Sequence, residues 1–410
     1  MQGTRPSSHH FVSPLDTRYL LSSCDVAEYL SDYALSRNRI IVEVTWLRYL
    51  VAEGITSISS LEPSSDAYLS EICQFKHEDM ETISNIDKRI NHDVKATEYY
   101  IRNAGKAMLS RTHGQPASPT TIGKEIAVYV HRLSRQYTKY LTEIDYMAKF
   151  GGAVGNFNAH KMAFPDKNWP LLAKHFIENK LNLTYQEYST QIECHDFISE
   201  VSDHISRVNT ILKDLCVDMW LYISNDLIKL KGVQGEVGSS TMPHKINPID
   251  WENAEGNFGI ANSLFHFFSS KLPTSRMQRD LSDSTVLRNI GVAFSHSYLG
   301  YLSILKALNR ISVNEDKALK ELDENWVVLS EPLQIHLRLN GVSSGYEEVL
   351  RLTRTGSMSK ENMKQIISTA CGGNSLLESL TPANYIGYAE SLALELKNRK
   401  FTSESKRTRN

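Results

Sequence analysis

The sequence predicts an all-α protein organised around a bundle of long helices. Three observations lead there. Apolar residues recur in steps of three and four over several turns in successive stretches. Runs with strand-like alternation are nearly absent. Glycine and proline gather in short segments at 111–123, 151–160 and 235–248, which separate the periodic stretches.

Taken in order, helices are expected over 17–53, 63–84 and 92–102. A long helix over about 120–148 carries Ile126, Val130, Leu133, Tyr137, Leu141 and Ile144 on one face. The longest covers about 190–230, with Ile198, Val201, Ile205, Val208, Leu212, Leu215, Met219 and Tyr222 in a heptad-like seam. At 1.5 Å per residue it would reach roughly 60 Å. A less regular helix is expected over 248–272. Another over 281–311 bears Leu287, Ile290, Phe294, Tyr298, Leu302, Leu305 and Leu308. Shorter helices fit 313–341, 344–353, 358–369 and 381–398. Long helices with narrow apolar seams pack side by side. The expected organisation is an N-terminal helical domain at 1–105, a central bundle at 106–312 with a loop at 235–248, and a C-terminal helical domain at 313–410. The ends, MQGTRPSSHH and TSESKRTRN, read as tails.

Composition narrows the function classes. The 410 residues are 41% apolar and 22% charged with a net charge of -2, which is ordinary for a soluble protein and calls for neither nucleic acid nor an anionic membrane. No apolar run approaches the ~18 residues of a membrane span. The cysteines, Cys24, Cys73, Cys194, Cys216 and Cys371, are odd in number and never form a C-x-x-C pair. That argues against a disulfide framework or a zinc site and for a reducing compartment, most simply the cytosol. No metal or organic cofactor is called for.

The segment GEVGSSTMPHKINPID at 235–250 carries the chemistry. Adjacent hydroxyls at Ser239 and Ser240, free backbone N–H groups, one cation at Lys245 and one amide at Asn247 suit a carboxylate whose negative charge grows during reaction. The full string resembles the signature loop of the fumarase/aspartase superfamily. The resemblance makes Ser239 the catalytic base and puts Ser240, Lys245, Ile246 and Asn247 on the substrate.

Further motifs are similar to those of the bacterial-type branch of adenylosuccinate lyases. In SPLDTRY, Arg18 and Tyr19 fall on the nucleotide phosphate, which suits the planar fork of arginine. In RINHDVKATEYY, Asn91, His92 and Asp93 fall against the substrate. In SRTHGQPASPTTIGKE, His113 corresponds to the general acid, a role that suits an imidazole titrating near neutrality. YSTQIECHD supplies Gln191, WENAEGN supplies Asn253, and SRMQRDLSDSTVLRN supplies Arg279, Ser284 and Arg288. His160, His195 and His204 read as structural.

The resemblance implies a three-domain helical fold, elimination of fumarate from a succinylated purine nucleotide, and a homotetramer whose active sites are shared between subunits. One departure stands out. The pattern expects a segment between NHDVK and RTHGQPA that carries a Thr-Ser pair and a long bundle helix, yet only IRNAGKAML connects them here. Roughly sixty residues are expected to be absent, enough for a helix on the order of 60 Å with its loop.

Overall fold

The computed structural model describes residues 105–232, 242, 244–354 and 359–398. The helices expected before residue 103 lie outside that range. The described chain is mostly helical and divides into two compact units. Among described residues, one unit holds 143–210 and 253–304, and the other holds 105–142, 211–252 and 305–398.

The first unit is held by long helices. Helix α1 (Ile122–Glu143) precedes it, and short helices α2 (Asn158–Ala163) and α3 (Trp169–His175), with a π-helical turn at Phe176–Lys180, lead into it. Then come α4 (Asp196–Ser224), α5 (Ile249–Lys271), α6 (Ser282–Leu287) and α7 (Ile290–Asn309), of which α4 after residue 210, α5 before residue 253 and α7 after residue 304 count with the second unit. The 29 residues of α4 span about 43 Å, shorter than its apolar seam suggested, because 190–195 form an irregular entry and the chain leaves the helix after Ser224 to form a strand at Ile228–Leu230.

The buried face of α4 also differs from the predicted seam. Val201, Leu215 and Met219 are buried as expected, but so are Ser202, His204, Ser206 and Asn209. Val208 and Leu212 are only half-buried. Polar groups face inward because partners await them. Ser206 Oγ meets His266 Nε2 at 2.7 Å, and Asn209 donates to Asn262 Oδ1 at 3.0 Å and to Ser297 Oγ at 2.8 Å.

Helix α5, the least regular in sequence, supplies the driest stripe. Ala254, Phe258, Ala261, Phe265, Phe268 and Leu272 follow four–three spacing and are almost wholly buried. Exposed Ile260 and Phe267 on its other side blur the pattern. Ala261, Phe265, Phe268 and Leu272 pack with Val286 and Ala293 as one core cluster. Gly300 of α7 lets the Phe258 ring come close, since a Cβ there would lie 2.4 Å from that ring.

The single helix expected over 281–311 is two. It breaks at Arg288 and Asn289, where Asn289 N–H bonds Val286 O at 2.9 Å and its side-chain amide bonds Thr285 O at 3.0 Å. A local side-chain-to-backbone bond of this kind competes with helix continuation.

The second unit departs from a purely helical plan. Strands β1 (Ala107–Thr112) and β2 (Gln115–Thr121) form an antiparallel hairpin, and β5 (Ile228–Leu230) pairs antiparallel with β6 (Ile311–Val313). In the first unit two-residue strands β3 (Met147–Ala148) and β4 (Thr184–Tyr185) pair in parallel. The helix expected over 313–341 becomes α8 (Glu315–Asp323), a 3-10 turn at Trp326–Leu329, and α9 (Ser330–Leu339). Asn314 starts α8 by accepting from Lys317 N. α10 (Gly345–Arg354), α11 (Lys360–Ala370), α12 (Ser375–Glu378) and α13 (Ala389–Asn398) follow. Ser359 and Asn374 cap α11 and α12, each satisfying otherwise unpaired N–H groups. Trp326, Leu329, Leu333, Val349, Met363, Ile367, Cys371 and Leu377 form the core of this end.

Candidate active site

His113 sits at the tip of the β1–β2 hairpin. Thr112 pairs with Gln115, so His113-Gly114 is a two-residue connection, and both residues have positive φ, 53° and 75°. Such turns match the right-handed twist of the flanking strands and strongly favour glycine at the second position. Histidine tolerates the left-handed region better than most side chains. The turn leaves the imidazole exposed. Arg111 behind it donates to Gly114 O and pairs with buried Glu321 of α8, which ties the turn end of the hairpin to that helix.

The signature loop is described only at its foot. Ser239 and Ser240 lie outside the described residues, as do Arg18, Tyr19, Asn91, His92 and Asp93. Lys245 and Ile246 are exposed and Asn247 is half-buried, with Lys245 N–H bonded to Met242 O at 3.0 Å. Pro248 O then accepts from Trp251 N and Glu252 N and opens α5. This junction is pinned by Asp250. Its carboxylate takes Lys306 Nζ at 2.8 Å and Arg310 Nη1 at 3.1 Å. An acidic group in a helix's first turn also complements the helix dipole. Asp250 was not singled out in the sequence, where only its position just after the loop pointed to it.

In the first unit the structure joins two of the expected residues. Arg279 Nη1 donates to Gln191 Oε1 at 3.3 Å, and Gln191 N–H bonds Gln278 O at 3.2 Å. Lys149 Nζ reaches Gln191 O at 2.8 Å, so Gln191 is held at its amide nitrogen, its carbonyl and its side chain. Burial lowers the Lys149 ammonium below its ordinary value. Arg279 Nη2 also pairs with Asp283 Oδ2 at 3.4 Å, while Arg279 Nε and Asp283 Oδ1 have no hydrogen-bond partner among the described residues. Ser284 on α6 is half-buried and Arg288 at its C-terminal end is exposed.

Asn253 is engaged within the helices. Its amide donates to Ser303 Oγ at 2.7 Å, and its oxygen accepts from Asn257 at 3.1 Å. Asn257 in turn meets His296 Nδ1 at 2.8 Å. Asp283, Glu193 and Lys149 were missed in the sequence. The i,i+4 spacing of Arg279 and Asp283 was the legible signal for the first of them.

Of the histidines read as structural, His160 makes edge-to-face contacts with Phe150, Phe157 and Trp169. His204 is buried. His195 stands between two carboxylates.

The family described as "Lyase" matches residues 104–260, and "Adenylosuccinate lyase C-terminal" matches 275–386. The fold is similar to a crystal structure of a fumarate lyase from Mesorhizobium, with TM-score 0.62 and 15% identity over 92% of this chain and 97% of that one. Fold and family matches together define a lyase of the fumarase/aspartase superfamily. Adenylosuccinate lyase of Vibrio cholerae is 38% identical, covering 94% of this chain and 98% of its own length. That of Legionella pneumophila is 40% identical, covering 93% and 97%. The chain belongs to the adenylosuccinate lyase family.

The alignment to the Vibrio enzyme runs over 449 positions, while 94% of 410 residues of this chain take part. About sixty positions of that relative therefore have no counterpart here, the size of gap that the motif spacing called for. Among the described residues, no helix is long and apolar enough to cross a membrane.

Proposed function

We propose that this chain releases fumarate from adenylosuccinate, leaving AMP, and from succinylaminoimidazole-carboxamide ribotide, leaving the free carboxamide. Ser239 removes a proton from the carbon next to a carboxylate. That carbon acid is weak, so the dianionic intermediate needs stabilisation at the moment it forms. Lys245, Asn247 and loop N–H groups supply it. The carbon–nitrogen bond then breaks, and His113 gives its proton to the departing nitrogen. A neutral serine is a poor base, so Ser239 acts only when the closed loop activates it and excludes water. Arg18 and Tyr19 take the phosphate. Asn91, His92, Asp93, Gln191, Ser240, Ile246, Asn253, Arg279, Ser284 and Arg288 hold the rest of the substrate.

One observation carries the reading. The run GSSTMPHKINP keeps a hydroxyl pair, a cation and an amide within eleven residues, with Lys245 exposed four residues before α5, whose first turn Asp250 ties to Lys306 and Arg310. The reading includes a cytoplasmic homotetramer with shared active sites. It also places the sixty absent positions between Arg102 and Leu109.

The test is fumarate release from adenylosuccinate by the purified 410-residue chain, with its mass in solution measured alongside. Ser239→Ala is expected to lower kcat by about a thousandfold or more. A soluble, helical chain that releases no fumarate would leave a family member without its chemistry.

A further inference from the structure

The ionic line behind Arg279 ends in a group that substrate contact does not explain. His195 occupies the left-handed region, with φ 65°, and its backbone N–H donates to Glu193 Oε2 at 2.8 Å. Its ring lies between two carboxylates. Nδ1 is 3.4 Å from Glu193 Oε2 and Nε2 is 3.6 Å from Asp283 Oδ2. The three side chains are only 12%, 12% and 9% exposed. Asp283 Oδ2 is also the oxygen that takes Arg279 Nη2 at 3.4 Å. One carboxylate oxygen is thus shared by an imidazole from 88 positions earlier in the chain and a guanidinium from four positions earlier.

Sharing has an electrostatic consequence. Among the described residues, the charged groups facing the imidazole are Glu193 from its own loop and Asp283 from α6, with Arg279 reaching it through Asp283. The Glu193 carboxylate raises the imidazole above its ordinary value, burial works against it, and Asp283 adds to the rise. Charged His195 satisfies part of the Asp283 charge from behind. Neutral His195 leaves that charge to Arg279 alone. Partly buried pairs at this separation interact several-fold more strongly than in water.

We propose that His195 is a positioning residue. As an imidazolium between Glu193 and Asp283, it shares the Asp283 carboxylate and so leaves the Arg279 guanidinium, steadied by Gln191, available to an anionic ligand. This rests on the reading of Arg279 and Gln191 as substrate-binding residues. Loss of the His195 proton draws Arg279 back onto Asp283 and weakens binding. By linkage, substrate binding strengthens proton binding at His195 by the same factor.

The experiment measures calorimetric affinity for adenylosuccinate from pH 6 to 9 in the full chain carrying Ser239→Ala, so that nothing turns over. The His195 ring resonance is followed by NMR in the same samples. His195→Gln is expected to weaken binding about tenfold near neutral pH. The affinity of the parent should fall as pH rises through the His195 titration, and that fall should vanish in both His195→Gln and Asp283→Asn. Removing Arg279 as Arg279→Ala should raise the His195 titration further. In the reacting enzyme, His195→Gln should raise KM and leave kcat within about twofold. Equal affinities of His195→Gln and parent at every pH overturn the proposal. So does a loss of affinity in His195→Gln while the parent shows no pH dependence, since that is what a purely structural histidine would give. If Arg279→Ala binds as the parent does, the substrate role of Arg279 fails and takes the proposal with it. If Arg279→Ala weakens binding while His195→Gln does not, only the role of His195 fails.

Discussion

Two polar clusters in the first unit are built on opposite plans. One runs Gln191–Arg279–Asp283–His195–Glu193, on loops and a six-residue helix, with separations of 3.3 to 3.6 Å and several atoms that lack a hydrogen-bond partner among the described residues. The other joins Asn209 to Asn262, Ser297 and Tyr301, on three long helices, with separations of 2.7 to 3.0 Å. Asn209 is fully buried, and both ends of its amide are satisfied. A neutral network that is satisfied fixes which helix faces meet. A charged one left partly unsatisfied retains capacity for a ligand. The comparison separates a group that sets register from a group proposed to hold substrate.

The comparison breaks most readily at Arg279. Arg279→Ala is expected to lower kcat/KM by about a hundredfold, since bonds to charged groups contribute roughly 1.5–3 kcal/mol each. Its thermal midpoint should move by no more than about 2 °C. Steady-state kinetics beside a thermal melt checks both, and a large shift in the melt with unchanged kinetics would reverse the assignment. Asn209→Ala should do the opposite. It removes the amide that Tyr301, Asn262 and Ser297 share, costing about 2–3 kcal/mol in urea unfolding, with KM unchanged.

Gly300→Ala tests the same helix contact through packing alone. Its Cβ would enter the Phe258 ring at 2.4 Å, so a loss of about 1–3 kcal/mol is expected. A neutral result in denaturant titration would mean that Phe258 turns aside freely.

The smallest effect is a difference in sign between two histidines. Charged neighbours raise His195 and burial lowers His296 from the ordinary value of 6.5. The stability His195 contributes is therefore complete below that ordinary value and lost as pH rises through its folded value. His296 contributes stability above the ordinary value, lost as pH falls toward its folded one. Urea midpoints across pH 5 to 9 should lose their alkaline decline in His195→Gln and their acid decline in His296→Gln. Matching profiles in the two variants would contradict the assigned environments.

Much of the fold was legible because its signals are local. The three–four recurrence of Ile126, Val130, Leu133, Tyr137 and Leu141 is a property of neighbours along one helix, as are the glycine and proline interruptions that bound the loops. The hairpin at His113-Gly114 was not legible as strand. QPASPTT has little alternation, and it is the register with AMLSRT that makes it one. The break at Arg288 and Asn289 was likewise hidden, because the apolar pattern continues across it while the side chain of Asn289 bonds back to Thr285. In the candidate site, the motif residues could be named from the sequence, whereas Asp250 and Asp283 gain meaning only from the cations brought against them.

The sequence by itself determined the helical class, the family and the chemical groups on offer, since period, turn residues and an eleven-residue motif are all written along the chain. Tertiary structure alone decided which polar groups are buried, and with what partner. Asn209 and Ser297 are 88 positions apart, as are Gln191 and Arg279. Whether such a pair fixes helix register or holds a guanidinium for a ligand depends on dielectric, distance and the third group beside it, and those arise only when the chain has folded.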